Sequence, residues 1–240
     1  MPVPFDVLTR VAWVPRPPVP GSLEQEGPAS NPKNTYQIVD GRRWGAGSMD
    51  RAAVFVDGAY VQWVTAHRFE YARVDYQKFV AAVLPPDTQL LRAYYYDSLP
   101  YVGDPPTEEE ADRLARKERW LHAIEHIPQL EVRLGQVARR EDGTVVQKRV
   151  DVLLAMDMVR VAYKRLADVV VLVAGDSDYV PLVEEVKAEG LLVDLVYSEG
   201  SVHGDLVRAC DRRRAINWEL VEDVRMQSGL GTLGNRVRRG

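Results

Sequence analysis

Residues 172–182, LVAGDSDYVPL, set Asp176 and Asp178 one serine apart at the end of the apolar run VVVLVAG. An earlier apolar run ends on Asp57 in VFVDG, and the segment KRVDVLLAMDM carries Asp151 and Asp157. Carboxylates that approach one another where a strand leaves the core need a proton or a cation between them, because like charges disfavour joint ionisation. Three or four aspartates at one sheet end, without cysteine or histidine ligands, make a hard oxygen site suited to Mg²⁺ or Mn²⁺ rather than zinc. Such ions neutralise a phosphodiester, lower the pKa of a bound water and stabilise a leaving oxygen. Ser177 and the N–H groups opening the next helix are placed to hold a phosphate oxygen.

Each acid also has a structural explanation of its own. Pro181 lacks an N–H and is tolerated only in a first helical turn, so Asp178 is the expected N-cap. Asp151 falls in the first turn of a helix striped by Val150, Leu153, Leu154, Met158 and Val161, where an acid is favourable anyway. Asp157, seven residues beyond Val150, lies within about 20° of that apolar position on a 3.6-residue helix, so it needs a partner such as Arg160. Asp176 has the weakest structural account, since it has no obvious donor and crowds Asp178.

The elements that must position these residues alternate. Strands are expected over 52–57, 88–96, 130–138, 144–149, 168–174 and 191–197, and helices over 75–84, 107–127, 150–166 and 179–189. The helix at 107–127 opens on Thr107 with an acidic first turn. Asp142 and Gly143 suit a hairpin turn between the third and fourth strands. Near-continuous apolar strands separated by helices indicate a mainly parallel sheet covered on both faces, a Rossmann-like three-layer α/β sandwich. In such sheets ligands bind beyond the carboxyl ends of the strands, where Asp57 and Asp176 fall.

The 240 residues, 46% of them hydrophobic, support a sizeable core. The first 48 hold eight of the 15 prolines and no sustained period, and are expected to be disordered; the domain then spans about 50–225, with a flexible tail over 226–240. Met49, directly before the first convincing strand, is a candidate start, which the intact mass of the natively expressed protein decides. One cysteine, Cys210, rules out an internal disulfide framework and suits a reducing compartment, so the expected location is cytoplasmic. Cys210 itself reads as a small core residue. No run reaches the roughly 18 apolar residues of a membrane helix, and no membrane partner is expected.

With net charge −4, affinity for nucleic acid has to come from local basic patches: Arg139 and Arg140, Lys148 and Arg149, or Arg212 to Arg214. Tyr94 to Tyr96 offers either a base-stacking face or core packing. His122, Glu125 and His126 fit an inverted zinc-protease pattern, but on a charge-rich helix whose solvated face is the simpler reading.

Taken in order, VFVDGAY, KRVDVLLAMDMV, VVVLVAGDSDYVPLVEEVKAEGLLVDLV and DLVRACDRRRAI resemble the successive motifs of the NYN domain, LabA-like branch, a PIN-like nuclease fold. The resemblance covers roughly residues 51–217. It implies a metal-dependent ribonuclease that binds one or two Mg²⁺ or Mn²⁺ ions and acts on single-stranded or structured RNA. Asp57, Asp151, Asp176 and Asp178 match its catalytic and ligand positions, and Asp157 a further acidic one. Lys148, Arg149 and Ser177 are the expected phosphate-positioning residues. Tyr60 stands where the family often has asparagine, in a position facing substrate. Two functions remain open on the sequence, a nuclease and an RNA-binding or regulatory adaptor without turnover; so does assembly as a homo-oligomer.

Overall fold

The structure, a computed structural model, describes residues 37–39, 42–44, 49–139 and 145–226, with side chains over 49–136 and 149–226. It divides into two units, Met1–Ser48 and Met49–Gly240. In the first, β1 (Gln37–Val39) pairs antiparallel with β2 (Arg42–Trp44), so six residues of the segment expected to be disordered form a ladder. The rest of that segment, the Asp142–Gly143 turn and the tail beyond 226 lie outside the described residues.

The second unit contains β3 (Asp50–Asp57), α1 (Gly58–Arg68), α2 (Tyr76–Val83), β4 (Thr88–Ser98), α3 (Glu108–Glu125), β5 (Leu130–Arg139) and β6 (Val145–Lys148). It continues with α4 (Val150–Tyr163), β7 (Val169–Val173), a 3-10 turn (Ser177–Tyr179), α5 (Val180–Ala188), β8 (Leu192–Tyr197), α6 (Gly204–Ala209), β9 (Arg212–Ala215) and α7 (Trp218–Asp223). The strand order is β6-β5-β4-β3-β7-β8-β9; six strands are parallel and β6 alone runs antiparallel, against β5. This is the expected mainly parallel α/β sandwich. From β3 the chain proceeds outward through β4 and β5, then returns to lay β7 on the other side of β3, which makes that junction the topological switch point of the sheet.

Two buried clusters cover the two faces. Phe55, Tyr96, Leu154, Met158, Leu172 and Val183 pack on the side of α4 and α5. Val54, Val56, Val61, Phe79, Tyr95 and Leu121 pack on the side of α1, α2 and α3. Successive residues of β3 and β4 alternate between these clusters, as the period of a strand requires. The run Tyr94 to Tyr96 is therefore mostly core: Tyr95 and Tyr96 are fully buried on opposite faces, and Tyr94 stacks on Phe55 at 5.1 Å. Cys210 is buried, and burial pushes its thiol up to about 11.

Helix boundaries follow local chemistry. Asp75 caps α2 by accepting from the N–H groups of Gln77 and Lys78, and Thr107 and Glu110 close a capping box on α3. Gly58 opens α1 where a Cβ would collide with the ring of Tyr95 and the carbonyl of Tyr96, so the close approach of helix to strand requires glycine there. In the second unit the helices α1, α6 and α7 and the strand β9 went unanticipated. Among the described residues no helix is long and apolar enough to cross a membrane.

Leu154, fully buried in α4 beneath the sheet, should be a sensitive position. Leu154→Ala is expected to lower unfolding free energy by about 2–5 kcal/mol, read from urea denaturation at an unchanged m-value.

Candidate metal-binding and active site

Asp57 is the last residue of β3 and the N-cap of α1, with Oδ1 accepting the Tyr60 N–H at 3.0 Å. Its second oxygen, Oδ2, lies 3.4 Å from the hydroxyl of Tyr179, and that hydroxyl lies 2.9 Å from Oδ1 of Asp151 in the first turn of α4. A phenol has one proton, and the shorter contact directs it to Asp151. What remains between Tyr179 and Asp57 is an approach of two oxygens with no hydrogen to share. Burial raises the Asp57 pKa above the ordinary carboxylate value, and the charge of Asp151 adds to the rise. Burial and the same two carboxylates raise the Tyr179 phenol, which stays protonated.

The two buried acids, Asp157 and Asp97, have cations. Asp157 is ion-paired to Arg160 Nη1 at 2.6 Å and Arg133 Nε at 3.3 Å, and accepts the Tyr96 hydroxyl at 3.0 Å. The Arg133 contact is close but misaligned, which leaves its Nε without a hydrogen-bond partner. Asp97, 2% exposed, is held by Lys117. Asp57 and Asp151 have no Lys or Arg within ion-pair distance among the described residues. That difference separates half-buried Asp57, with exposed Asp151 beside it, from buried acids already neutralised by the fold.

β7 lies beside β3 with Val56 opposite Val173, so the Gly175–Asp178 turn leaves the sheet at the same end as Asp57. The expected cap moves two residues toward the N-terminus: Asp176, not Asp178, caps the 3-10 turn, accepting the Asp178 N–H at 3.1 Å. The 3-10 turn carries the chain into α5, where Pro181 takes an early position that needs no N–H donor. Asp176 and Asp178 are exposed, and the Ser177 hydroxyl reaches Asp176 Oδ1 at 3.5 Å. Asp57 and Asp151 are thus brought together through Tyr179, whereas Asp157 shares no partner with them and belongs to an arginine cluster. Among the described residues no three acidic, histidine or cysteine groups converge tightly enough to form a preassembled metal site. The donor set nonetheless suits Mg²⁺ or Mn²⁺, since Mg²⁺ is commonly held by one or two carboxylates with waters and substrate phosphates completing its shell.

Tyr60 forms part of the wall of the site. Its hydroxyl accepts the Ser198 N–H at 2.9 Å, and its ring occupies the space a Cβ on Gly175 would fill. The His203 N–H donates to the Gly175 carbonyl at 2.8 Å, so the loop after β8 is fastened to the same turn. Ser201 accepts from Arg68, and His203 caps α6. Arg149 is exposed with φ +73°, a strained left-handed conformation immediately ahead of α4. Lys148 is described as the last residue of β6, opposite Gln136; its side chain lies outside the described residues. Of the Arg212–Arg214 patch, Arg212 is paired with Asp194 and Arg214 donates to the Ala82 carbonyl. His122 and His126 sit on the exposed face of α3. Sequence reasoning missed Tyr179, whose position next to a helix start reads as core packing, and Asp97, whose partners are remote in sequence.

The fold is a mostly parallel α/β sandwich, the class in which ligands bind beyond the carboxyl ends of the strands, where Asp57 lies. The NYN domain family matches residues 51–217, and the chain belongs to that family. NYN domains are generally nucleases of PIN-like fold, and PIN-like nuclease domains usually use divalent metals. No curated protein matches. Among solved structures, protein VPA0982 of Vibrio parahaemolyticus RIMD 2210633, of unknown function, is 20% identical with a TM-score of 0.57, covering 74% of this chain and 97% of its own. That likeness concerns the fold. A protein of Parabacteroides merdae ATCC 43184, provisionally designated an oxidoreductase, is 10% identical with a TM-score of 0.27 over 67% of this chain and 27% of its own.

Because burial raises the Asp57 pKa, the folded state binds that proton more tightly than the unfolded chain does. Stability therefore falls as pH rises from the ordinary carboxylate value through the raised one. Asp57→Asn keeps a capping oxygen and supplies an N–H toward Tyr179. Its melting temperature should exceed that of the wild type at pH 7, with the gap closing below the ordinary carboxylate range; a constant gap from pH 3 to 8 would show that the charge is not the cause.

Proposed function

We propose that this chain is a metal-dependent ribonuclease of the LabA-like branch, hydrolysing RNA phosphodiesters at the Asp57–Asp151 pair. The observation that carries the reading is two carboxylates gathered on one phenol, whose proton goes to Asp151, with no Lys or Arg paired to either among the described residues, at the switch point of the sheet. A bound Mg²⁺ or Mn²⁺ ion there would supply a water of lowered pKa and neutralise phosphate charge. Asp57 and Asp151 would hold the ion, and Tyr179 orients Asp151 by donating to its Oδ1. Asp176 has one oxygen engaged in capping and the other available, and Asp178 is the remaining acid of the turn; both serve as further ligands or orient water. Arg149, with Lys148 before it, and Ser177 of the turn after β7 position the phosphate. Asp157 is a structural acid in this account, held by its arginines. The single cysteine supports a cytoplasmic setting.

A second reading, a non-cleaving RNA-binding adaptor, is favoured by the absence of a three-acid cluster among the described residues and by Tyr60 in place of asparagine. Sedimentation velocity decides between monomer and homo-oligomer.

End-labelled single-stranded and hairpin RNAs, with matched DNAs, should be cleaved in Mn²⁺ or Mg²⁺ and spared in EDTA. Asp57→Asn and Asp151→Asn should reduce cleavage to background, and Tyr179→Phe should lower it by about 10–100-fold, the usual cost of losing a group that orients a ligand. Equal cleavage by wild type and Asp57→Asn would reject the assignment, and RNA bound intact would favour the adaptor. Mn²⁺ should raise the melting temperature of the wild type but not of the double Asp57→Asn, Asp151→Asn variant.

A further inference from the structure

On the face of the sheet opposite α4, a cleft of about 410 Å³ opens between α1, α3 and the segment 72–74. Arg73, Arg113, Arg116 and Lys117 line it beside Tyr76 and Trp120, and among the described residues no aspartate or glutamate does. In a chain with a net charge of −4, four cations around one concavity are a local reversal of sign.

Of these four, among the described residues, Lys117 alone is ion-paired; the Thr107 N–H, and with it the charge of Arg113, lowers the pKa of Glu110 one turn before that arginine. Lys117 Nζ contacts buried Asp97 at 2.5 Å and lies 4.6 Å over the Trp120 ring. Gln62 spans the same cluster, donating to the Tyr95 hydroxyl and to Asp97, both at 2.8 Å. Lys117 is thereby part of a fixed wall. Arg113 donates one N–H to the Tyr101 carbonyl at 3.0 Å and retains the rest of its guanidinium. The exposed side chains of Arg73 and Arg116 make no hydrogen bond or ion pair among the described residues.

Guanidinium forks match phosphate oxygens in a bidentate manner. The volume exceeds what a phosphate ion fills and falls within the roughly 300–1,000 Å³ of small-molecule sites. Tyr76 and Trp120, edge to face at 5.9 Å, add an aromatic wall that an inorganic anion does not use. We propose that this cleft binds a nucleoside phosphate, free or as one nucleotide of an RNA strand, with Arg73 and Arg116 on the phosphate and Trp120 against the nucleoside. It requires no metal and none of the residues of the Asp57–Asp151 pair.

Isothermal titration in EDTA, on full-length protein carrying Asp57→Asn, separates this binding from any cleavage. The probes are AMP, UMP, adenosine, inorganic phosphate and an eight-residue oligouridylate. The comparison is the same protein with Arg73→Ala and Arg116→Ala, two exposed positions whose loss should leave the circular dichroism spectrum unchanged. A mononucleotide should bind saturably, more tightly than adenosine or phosphate, and weaken at least roughly tenfold in the arginine variant, as expected for lost charge-assisted hydrogen bonds. Oligouridylate binding with the same loss, where mononucleotides fail, assigns the ligand to a strand. Three results overturn the proposal: no saturable binding by any probe, equal binding by the arginine variant, or phosphate binding as tightly as AMP.

Discussion

Strands β3 and β7 lie side by side, run in the same direction and are buried on both faces, with a ladder from Ala52↔Val169 to Val56↔Val173. Neither can leave the sheet except at its ends, and because they are parallel both carboxyl ends open at one place. The chain connects outward from β3 through β4 and from β7 through β8, so the connections diverge and a crevice is left between them. Asp57 and the Gly175–Asp178 turn are the residues delivered to that crevice. The burial that makes β3 central is also what desolvates Asp57 and raises its pKa. Site electrostatics and core packing therefore have one origin.

Asp57 joins these two roles in a single carboxylate. One oxygen completes the start of α1 by accepting the Tyr60 N–H, and the other faces Tyr179 and, through it, Asp151. Capping fixes the carboxylate, so its free side cannot rotate away from the second acid. Tyr60 supplies the cap donor from its backbone and uses its ring and hydroxyl to hold Gly175 and Ser198. A smaller amide at position 60 would reach toward the carboxylates but would not span to the loop after β8.

The fold also keeps opposite charges apart. At the carboxyl end of β3 the pair Asp57 and Asp151 is without Lys or Arg partners among the described residues; on the α1 and α3 side arginines gather in a cleft whose described lining holds no acid. Asp97 and Asp157 are each neutralised within their own layer, by Lys117 and by Arg133 and Arg160. A chain of modest net negative charge thus presents an acidic site at the carboxyl ends of its strands and a basic cleft over one face of the sheet.

Much of this fold is legible without coordinates. The apolar runs ending at Asp57 and before Asp176 identify buried strands, because a strand covered on both faces must be apolar at consecutive positions. Thr107 with Glu110, and Pro85 with Pro86, mark helix limits by chemistry that acts within a few residues. The unanticipated elements lack such signals. In α1 only Gly58, Val61, Val64 and Thr65 are buried, and Trp63 is exposed. In β9 the sequence Arg-Arg-Arg-Ala reads as a solvated basic patch, yet it forms an exposed edge strand, where charge also discourages further pairing. Sequence alone determined which residues are buried in strands and which acids stand at their ends, since both follow from solvation and backbone rules of short range. Only the tertiary structure decided which acids keep a cation and which gather on one phenol. Tyr179 reaches Asp151 across 28 residues and Asp57 across 122, distances in the chain that packing alone brings to hydrogen-bond range.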